Sequence, residues 1–338
     1  MVSSNFFGID LGTSNIKIYN KNDDSVLVEK NMIAIENKKN LFAYGDSAYE
    51  MYEKAPSNIR ITYPLSKGVI ADIANMQLLL KYFVSDIGHG QLKPADFYIA
   101  VPTDVTEVEK RAFYDVVMDA GIKAKNILVV EKAVADGLGL GIDVKSSQGC
   151  LIVNVGYDTT EISVLSLGGI VLSKLVKVGG KQFDEAICNV IRREYSLIIG
   201  EKSAENLKIK LVDLERNGED AVVCGRDIVT GLPVERKIPT DLLDECLYDN
   251  FMTIIDQIKV LLERTPPELS ADIYRNGLYV TGGASLVVHL KELIAQGTGL
   301  KVNTMENPIS GVVLGLSKVI KDDYFRTVAY SIEGMSRT

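Results

Sequence analysis

Two short polar turns, one in each half of the chain, carry the residue types that bind phosphate. The first follows the apolar run Phe6-Phe7-Gly8-Ile9-Asp10-Leu11, reads Gly12-Thr13-Ser14-Asn15, and leads into a second strand-like run, Ile16-Lys17-Ile18-Tyr19. Gly12 lets the backbone approach an anion closely, while Thr13, Ser14 and Asn15 add hydroxyl and amide donors. Asp10, just ahead of the turn, is placed to hold Mg²⁺ through water, because Mg²⁺ prefers oxygen ligands and dehydrates reluctantly. The second turn, Gly156-Tyr157-Asp158-Thr159-Thr160, lies between the apolar runs Leu151–Val153 and Ile162–Leu167 and repeats the layout. One such turn is an ordinary hairpin; two in separate halves predict a phosphate chain clamped between domains.

A third element completes this picture. Gly277-Leu278-Tyr279-Val280-Thr281 reads as a strand that enters Gly282-Gly283-Ala284-Ser285-Leu286, with an amphipathic helix expected over Val287–Ala295. Paired glycines let a flat ring or a ribose lie against the backbone. Other chemistries find no support. Cys150, Cys188, Cys224 and Cys246 lack Cys-x-x-Cys spacing, and His89 and His289 stand in no nucleophile context, so neither a zinc site nor a Ser-His-Asp hydrolase is expected.

Alternating strands and helices must position these turns. In the first half, Ser25–Glu29 and Met32–Ile35 read as strands, followed by the polar Lys38-Lys39-Asn40 turn and a short helical piece over Ala43–Tyr52. Ile73, Met76, Leu80 and Phe83 give Ile73–Val84 a helical apolar spacing. Phe97–Val101 is a buried-type strand, and Thr106–Ala120 a helix capped by Thr106, with Glu107 and Glu109 in its first turn and Gly121 as its stop. Ile127–Val130 is another strand, and the helix Ala133–Leu140 should link the halves.

In the second half, Gln182–Ser196 and Glu201–Leu214 read as helices, and Ala221–Val223, Gly225–Leu232 and Val234–Ile238 as short strands. Thr240-Asp241 caps one long helix, Leu242–Arg264, which Pro266-Pro267 ends. The strand Val302–Met305 and helix Ile309–Ile320 return the chain to its first half, leaving Asp322–Thr338 as a polar, frayed tail. The alternation predicts an α/β architecture with sheets covered on both faces.

At 338 residues, with 46% hydrophobic and 24% charged, the chain can bury a large core and fill two domains. A net charge of −8 argues against nucleic acid as a partner. No apolar segment reaches the ~20 residues of a spanning helix, and no basic and apolar leader precedes Phe6, so a soluble intracellular protein is expected.

The segments FGIDLGTSN, VPTDVTEVEKRAF, TTEISVLSLGGIV, KVGGKQFDEAI, GRDIVTGLP, YVTGGASL and ENPISGVVLG, in this order, resemble the actin, Hsp70 and sugar-kinase superfamily. More closely, and over almost its whole length, the chain is similar to bacterial actins of the MreB type. The resemblance implies an actin-like, duplicated ribonuclease H-like α/β fold, with two lobes around a nucleotide cleft. The first lobe would take residues 1–32, 66–145 and 313–338 as its core subdomain and 33–65 as its small one. The second would take 146–181 and 246–312 as core and 182–245 as small subdomain. ATP or ADP with Mg²⁺ would occupy the cleft, Glu205 and Lys208 facing ribose and adenine, with Gly180, Asn206 and Leu207 also among the cofactor-binding residues. The implied function is cytoskeletal: filaments of the chain itself, with MreB paralogues as further partners, serving cell shape, or helicity and motility in a wall-less bacterium. A sugar or acetate kinase would need larger insertions, and a chaperone ATPase a following substrate-binding domain. Membrane attachment by an apolar loop or N-terminal helix has thin support, since the Asp86–Pro94 loop offers Ile87 and Leu92, and the N-terminus Val2, Phe6 and Phe7.

The resemblance also exposes departures. The water-orienting Glu that begins the family's linking helix falls on Lys132, and the following Pro on Ala133, with Glu131 one residue away. The Asp that closes the strand into the second turn is Asn154, and the three glycines after it are Gly156, Tyr157 and Asp158. A protonated Lys132 cannot accept a proton, though it could attract a terminal phosphate or pair with Asp158. Asn154 removes a charge from the metal's surroundings, while Thr13 and Thr159 remain as hydroxyl donors. Nucleotide binding should therefore survive better than turnover, unless Glu131 takes over the lost role after a one-residue shift.

Overall fold

Hairpin turns and parallel crossovers build two five-stranded sheets with the same layout. A computed structural model describes residues 5–333 apart from Gln91. In the first sheet, Ala124–Glu131, Ala95–Val101 and Asn5–Leu11 run parallel, and Asn15–Asn20 and Ser25–Lys30 continue as an antiparallel meander. In the second, Val302–Thr304, Leu278–Thr281 and Cys150–Val155 are the parallel strands, and Thr160–Ser166 and Gly169–Val176 the meander. Both phosphate-type turns thus occupy equivalent positions, at the first bend of each meander. Two three-stranded sheets stand apart: Asn40–Tyr44, Ile33–Glu36 and Ile59–Thr62 beside the first lobe, and Leu197–Ile198, Ala221–Asp227 and Pro233–Ile238 beside the second.

Helices cover the sheets as the apolar patterns require. Ile73–Ile87 buries Met76, Leu80 and Phe83 against Phe7, Ile9 and Phe97 of the first sheet, with Glu107–Asp119 beside it. The latter carries a full capping box: Thr106 Oγ1 accepts from the Glu109 N–H at 3.2 Å, and Glu109 accepts from the Thr106 N–H at 2.7 Å. Gly180–Tyr195 and Tyr248–Arg264 pack on the second sheet through Phe183, Ile187, Phe251 and Ile254.

The lobes meet where helix Lys132–Gly139 crosses helix Gly311–Lys321, between the two sheets. Ile152 and Leu165 of one sheet and Tyr98 and Val130 of the other close over this pair. Their backbones touch through glycine: a Cβ on Gly315 would fall on the Ala135 carbonyl oxygen, and one on Gly139 on that of Gly311.

Several sequence expectations are corrected. The strand placed at Gly225–Leu232 ends at Asp227, because the Asp227 side chain accepts the N–H groups of Val229 and Thr230 and turns the chain. The single long helix is two, Thr240–Glu245 and Tyr248–Arg264; Pro239, not Thr240, holds the cap position and no side-chain cap forms. The helix expected over Val287–Ala295 begins at Leu290, after a 3-10 turn at Gly283–Leu286 and a left-handed His289 whose two ring nitrogens face Asp244 at 3.0 Å and Glu215 at 3.4 Å. The supposed short helix over Ala43–Tyr52 spans Gly45–Met51, Ala43 lying in a strand. Ile87 is buried in the core, Leu92 and Phe6 are partly buried and Phe7 stacks on Phe97, while Val2 lies outside the described residues. The tail is not frayed as far as Glu333: Asp323–Arg326 is a helical turn, Tyr330 pairs with Val129 through two backbone hydrogen bonds, and Ile332 is buried. Among the described residues no helix is long and apolar enough to cross a membrane.

The glycine crossing yields a stability prediction. Gly315→Ala forces a methyl group onto a carbonyl that cannot move, which should cost about 1–3 kcal/mol and lower the melting temperature by several degrees. Gly169→Ala, whose added carbon would meet its nearest atom only at 3.9 Å, should leave it nearly unchanged in the same calorimetric scan.

Candidate functional site

A cleft of about 510 Å³ opens between the lobes, within the range of small-molecule sites. At its base the first turn is closed by the Gly12 N–H donating to Asn15 O at 3.1 Å, and a Cβ at Gly12 would stand 2.6 Å from that oxygen. The second turn is closed in the same way, Gly156 N–H to Thr159 O at 2.9 Å. Gly12, Thr13, Ser14 and Asn15 line one wall and Gly156, Tyr157, Asp158 and Thr159 the other. Gly180 joins them, its N–H donating to Gly156 O at 3.0 Å. A Cβ on Gly282, at φ +85°, would collide with the Val155 carbonyl, while one on Gly283 would meet Ile309 at an ordinary contact distance of 3.5 Å. Ala284 and Leu286 line the cleft beside these glycines.

Antiparallel register sets Asp10 opposite Lys17, whose Nζ lies 2.9 Å from its carboxylate. Burial works against the Asp10 charge, but Lys17 and Lys132 outweigh it and hold the carboxyl below its ordinary range. Lys132 opens the linking helix and points into the cleft. Burial also disfavours its ammonium, yet Asp10, Glu161 and Asp136 together keep it charged and its pKa above the usual lysine value. It does not pair with Asp158, as the sequence had suggested, because Asp158 accepts the backbone N–H of Lys67 from the opposite lobe.

Glu131 does not line the cleft. Its carboxylate is held away from the cleft, accepting from Lys110 Nζ at 2.9 Å and Tyr330 OH at 2.7 Å. Asn154 does line it, and its amide donates to Asp136 at 2.7 Å; Thr281 donates to the same carboxylate. Asp136 is fully buried, which raises its pKa in spite of both donors.

At the upper end, helix Glu201–Asn217 turns Glu205, Lys208 and Ile209 toward the cleft, one helical face at spacings of three and four. The two residues between them cannot share that face: Asn206 is exposed and Leu207 sits in the core of the second lobe. Ser285 likewise turns inward, donating to Gly282 O at 2.6 Å. Lys208 is 2.6 Å from Asp184 and donates to Gly180 O at 3.0 Å; burial nevertheless pushes the Asp184 carboxyl up to about 6. Glu205 accepts from Tyr49 and from Lys30 at 3.4 Å, both of the first lobe.

Sequence reasoning missed Lys17, Lys30, Asp136 and Glu161. Glu161 is the most consequential: it is 5% exposed, accepts the Thr103 N–H at 3.3 Å from the other lobe, and leaves its second oxygen unpartnered among the described residues. Burial pushes its carboxyl up from 4.5 to about 7, against the pull of Lys132 and Thr103. A raised carboxyl pKa means the folded state favours the protonated form, so this contribution to stability is whole below pH 4.5 and is lost as pH rises through about 7. Glu161→Gln, a permanently neutral mimic, should match the wild type at about pH 4 and melt several degrees higher at about pH 8. A melting-temperature difference that does not widen between those two pH values would contradict this.

Comparison with known proteins fits the geometry. The family model described as MreB/Mbl protein matches residues 4–326. The cell shape-determining protein Mbl of Bacillus subtilis is 36% identical over 312 residues, 91% of this chain and 93% of that one. Crystal structures of MreB 5 of Spiroplasma citri superpose with TM-scores of 0.89 for the form bound to AMPPNP and 0.88 for the form bound to ADP. They are 34% and 35% identical, covering 97% and 96% of this chain and 99% and 98% of the neighbour. Two lobes of matching topology, paired phosphate-type turns and a paired-glycine segment, together with this likeness along the whole chain, make it a member of the MreB/Mbl family of actin-like, cell shape-determining cytoskeletal proteins.

Proposed function

We propose that the chain binds ATP or ADP in this cleft and polymerises into actin-like protofilaments that serve cell shape, or helicity and motility in a wall-less cell, while hydrolysing ATP slowly or hardly at all. The observation that carries the reading is Lys132: a charged ammonium stands in the cleft where hydrolysis asks for a group that can accept a proton, and Glu131 is held away from it by Lys110 and Tyr330. Nucleotide binding is supported by the two turns and the Gly282-Gly283-Ala284 segment, which together bring backbone donors, hydroxyls and small apolar residues to one cleft. Residues 33–65 and 182–245 read as the small subdomains, each containing one three-stranded sheet.

Mg²⁺ fits this cleft in an outer role. Asp10 is charged and lines the base, but it is already paired with Lys17, and the Asn154 amide is committed to Asp136. Asp10 would therefore hold the ion through water while the phosphates supplied most of its ligands. Bound there, the ion would neutralise charge on the terminal phosphates. Partners are further copies of the chain and, by family membership, MreB paralogues; membrane contact is left without an identified surface.

Phosphate release at saturating ATP should be near background for the wild type. Lys132→Glu should raise it by about tenfold or more, because the surrounding carboxylates would lift the new acid toward the working pH. Glu131→Gln should leave it unchanged. Sedimentation with ATP should pellet the wild type and Lys132→Glu alike. Turnover by the wild type as fast as by the Lys132→Glu variant would reject the reading, as would hexose-dependent release of ADP.

A further inference from the structure

In the second phosphate turn, two positions that are glycine in the family pattern hold Tyr157 and Asp158, and both side chains engage the opposite lobe. Asp158 is 4% exposed and accepts the Lys67 N–H at the tip of the tight hairpin Leu65–Ile70. That tip has a left-handed backbone at both Lys67, φ 54°, and Gly68, φ 82°. The Tyr157 ring packs on Tyr63 with centroids 5.7 Å apart. A third tie is made by Glu53 of the first lobe, which accepts the N–H groups of Glu201 at 2.9 Å and Lys202 at 3.3 Å. Those are the first residues of the helix that carries Glu205 and Lys208, and its own cap position is Gly200, which has no side chain to offer. The helix start is thus satisfied by a carboxylate from across the cleft.

In a clamp built from two bare glycine turns, the phosphate chain itself is the tie between lobes, and loss of the terminal phosphate loosens the tie. Here the ties belong to the protein. We propose that Tyr157 and Asp158, together with Glu53, are positioning residues that hold the lobes closed over the nucleotide, so that its release depends little on whether the terminal phosphate is present. The proposal rests on the nucleotide-binding reading above, and adds that closure is uncoupled from hydrolysis by residues distinct from the missing acid.

The test is stopped-flow release of a fluorescent ADP and of a fluorescent non-hydrolysable ATP analogue, with hydrogen–deuterium exchange on the nucleotide-free protein. The wild type should release both within about threefold of each other, and Y157G/D158G should release both about tenfold faster or more, with a wider gap between them. Y157F/D158N, which keeps the ring and an acceptor oxygen, should behave as wild type. Glu53→Ala, at an exposed position, should speed release in a variant whose core is untouched. Deuterium should enter the amides of Lys67, Glu201 and Lys202 faster in the glycine variant. Wild-type release rates and wild-type exchange at Lys67 in Y157G/D158G would overturn the proposal. Failure of the wild type to bind either nucleotide would instead overturn the nucleotide reading, and exchange at Lys67 would still decide whether the ties exist. Should Y157G/D158G not fold, release from Glu53→Ala at the wild-type rate, with unchanged exchange at Glu201 and Lys202, overturns it.

Discussion

Backbone contact between two helices governs the rest of the molecule. Ala135 and Gly139 on one helix meet Gly315 and Gly311 on the other with no side chain between them, so neither helix can slide or roll without collision. The first of these helices begins with Lys132 and carries Asp136 one turn later, and the Asp136 carboxylate packs against Gly311. The height at which the ammonium and its counter-charges stand in the cleft is therefore fixed by glycines some distance from the ligand walls.

The charge pattern at the cleft floor explains why a lysine is tolerated there. A buried ammonium is costly without counter-charges. Asp10, Glu161 and Asp136 surround Lys132, and each is itself almost fully buried. The cluster is held from both lobes: Lys17 engages Asp10, Thr103 engages Glu161, and Asn154 and Thr281 share Asp136. Asn154 has a part in this. An aspartate at that position would face Asp136 without a proton to donate, whereas the amide supplies one. The departures at 132 and 154 thus form one rearranged set of charges.

Much of the fold was legible from local signals. Both meanders are announced by turn residues, and the helices at 73–87 and 107–119 by apolar spacing and a capping box. The errors have particular causes. The gap left at Cys224 lies inside a single strand, and the real turn is made by the side chain of Asp227. The halt at His289 and the step at Cys246-Leu247 are set by packing between helices, which no single window of sequence displays. At the site, Lys17 was recoverable, since a hairpin closed at Gly12–Asn15 must place it beside Asp10. Asp136 and Glu161 were visible as lone charges in apolar segments, but their meaning depends on the meeting of the lobes. Lys30 and Tyr49 reach Glu205 from far along the chain and left no local trace. The pairing imagined between Lys132 and Asp158 failed because Asp158 is drawn away by the Lys67 N–H.

The C-terminal segment has a consequence for solubility. Ala124–Glu131 is the outermost strand of its sheet, and an outermost strand presents a row of bare amide and carbonyl groups on which any extended peptide can template itself. Tyr330 occupies the middle of that row with two hydrogen bonds to Val129, and Ile332 anchors it in the core. With those groups occupied, this short stretch closes one route by which a stray peptide could extend the sheet.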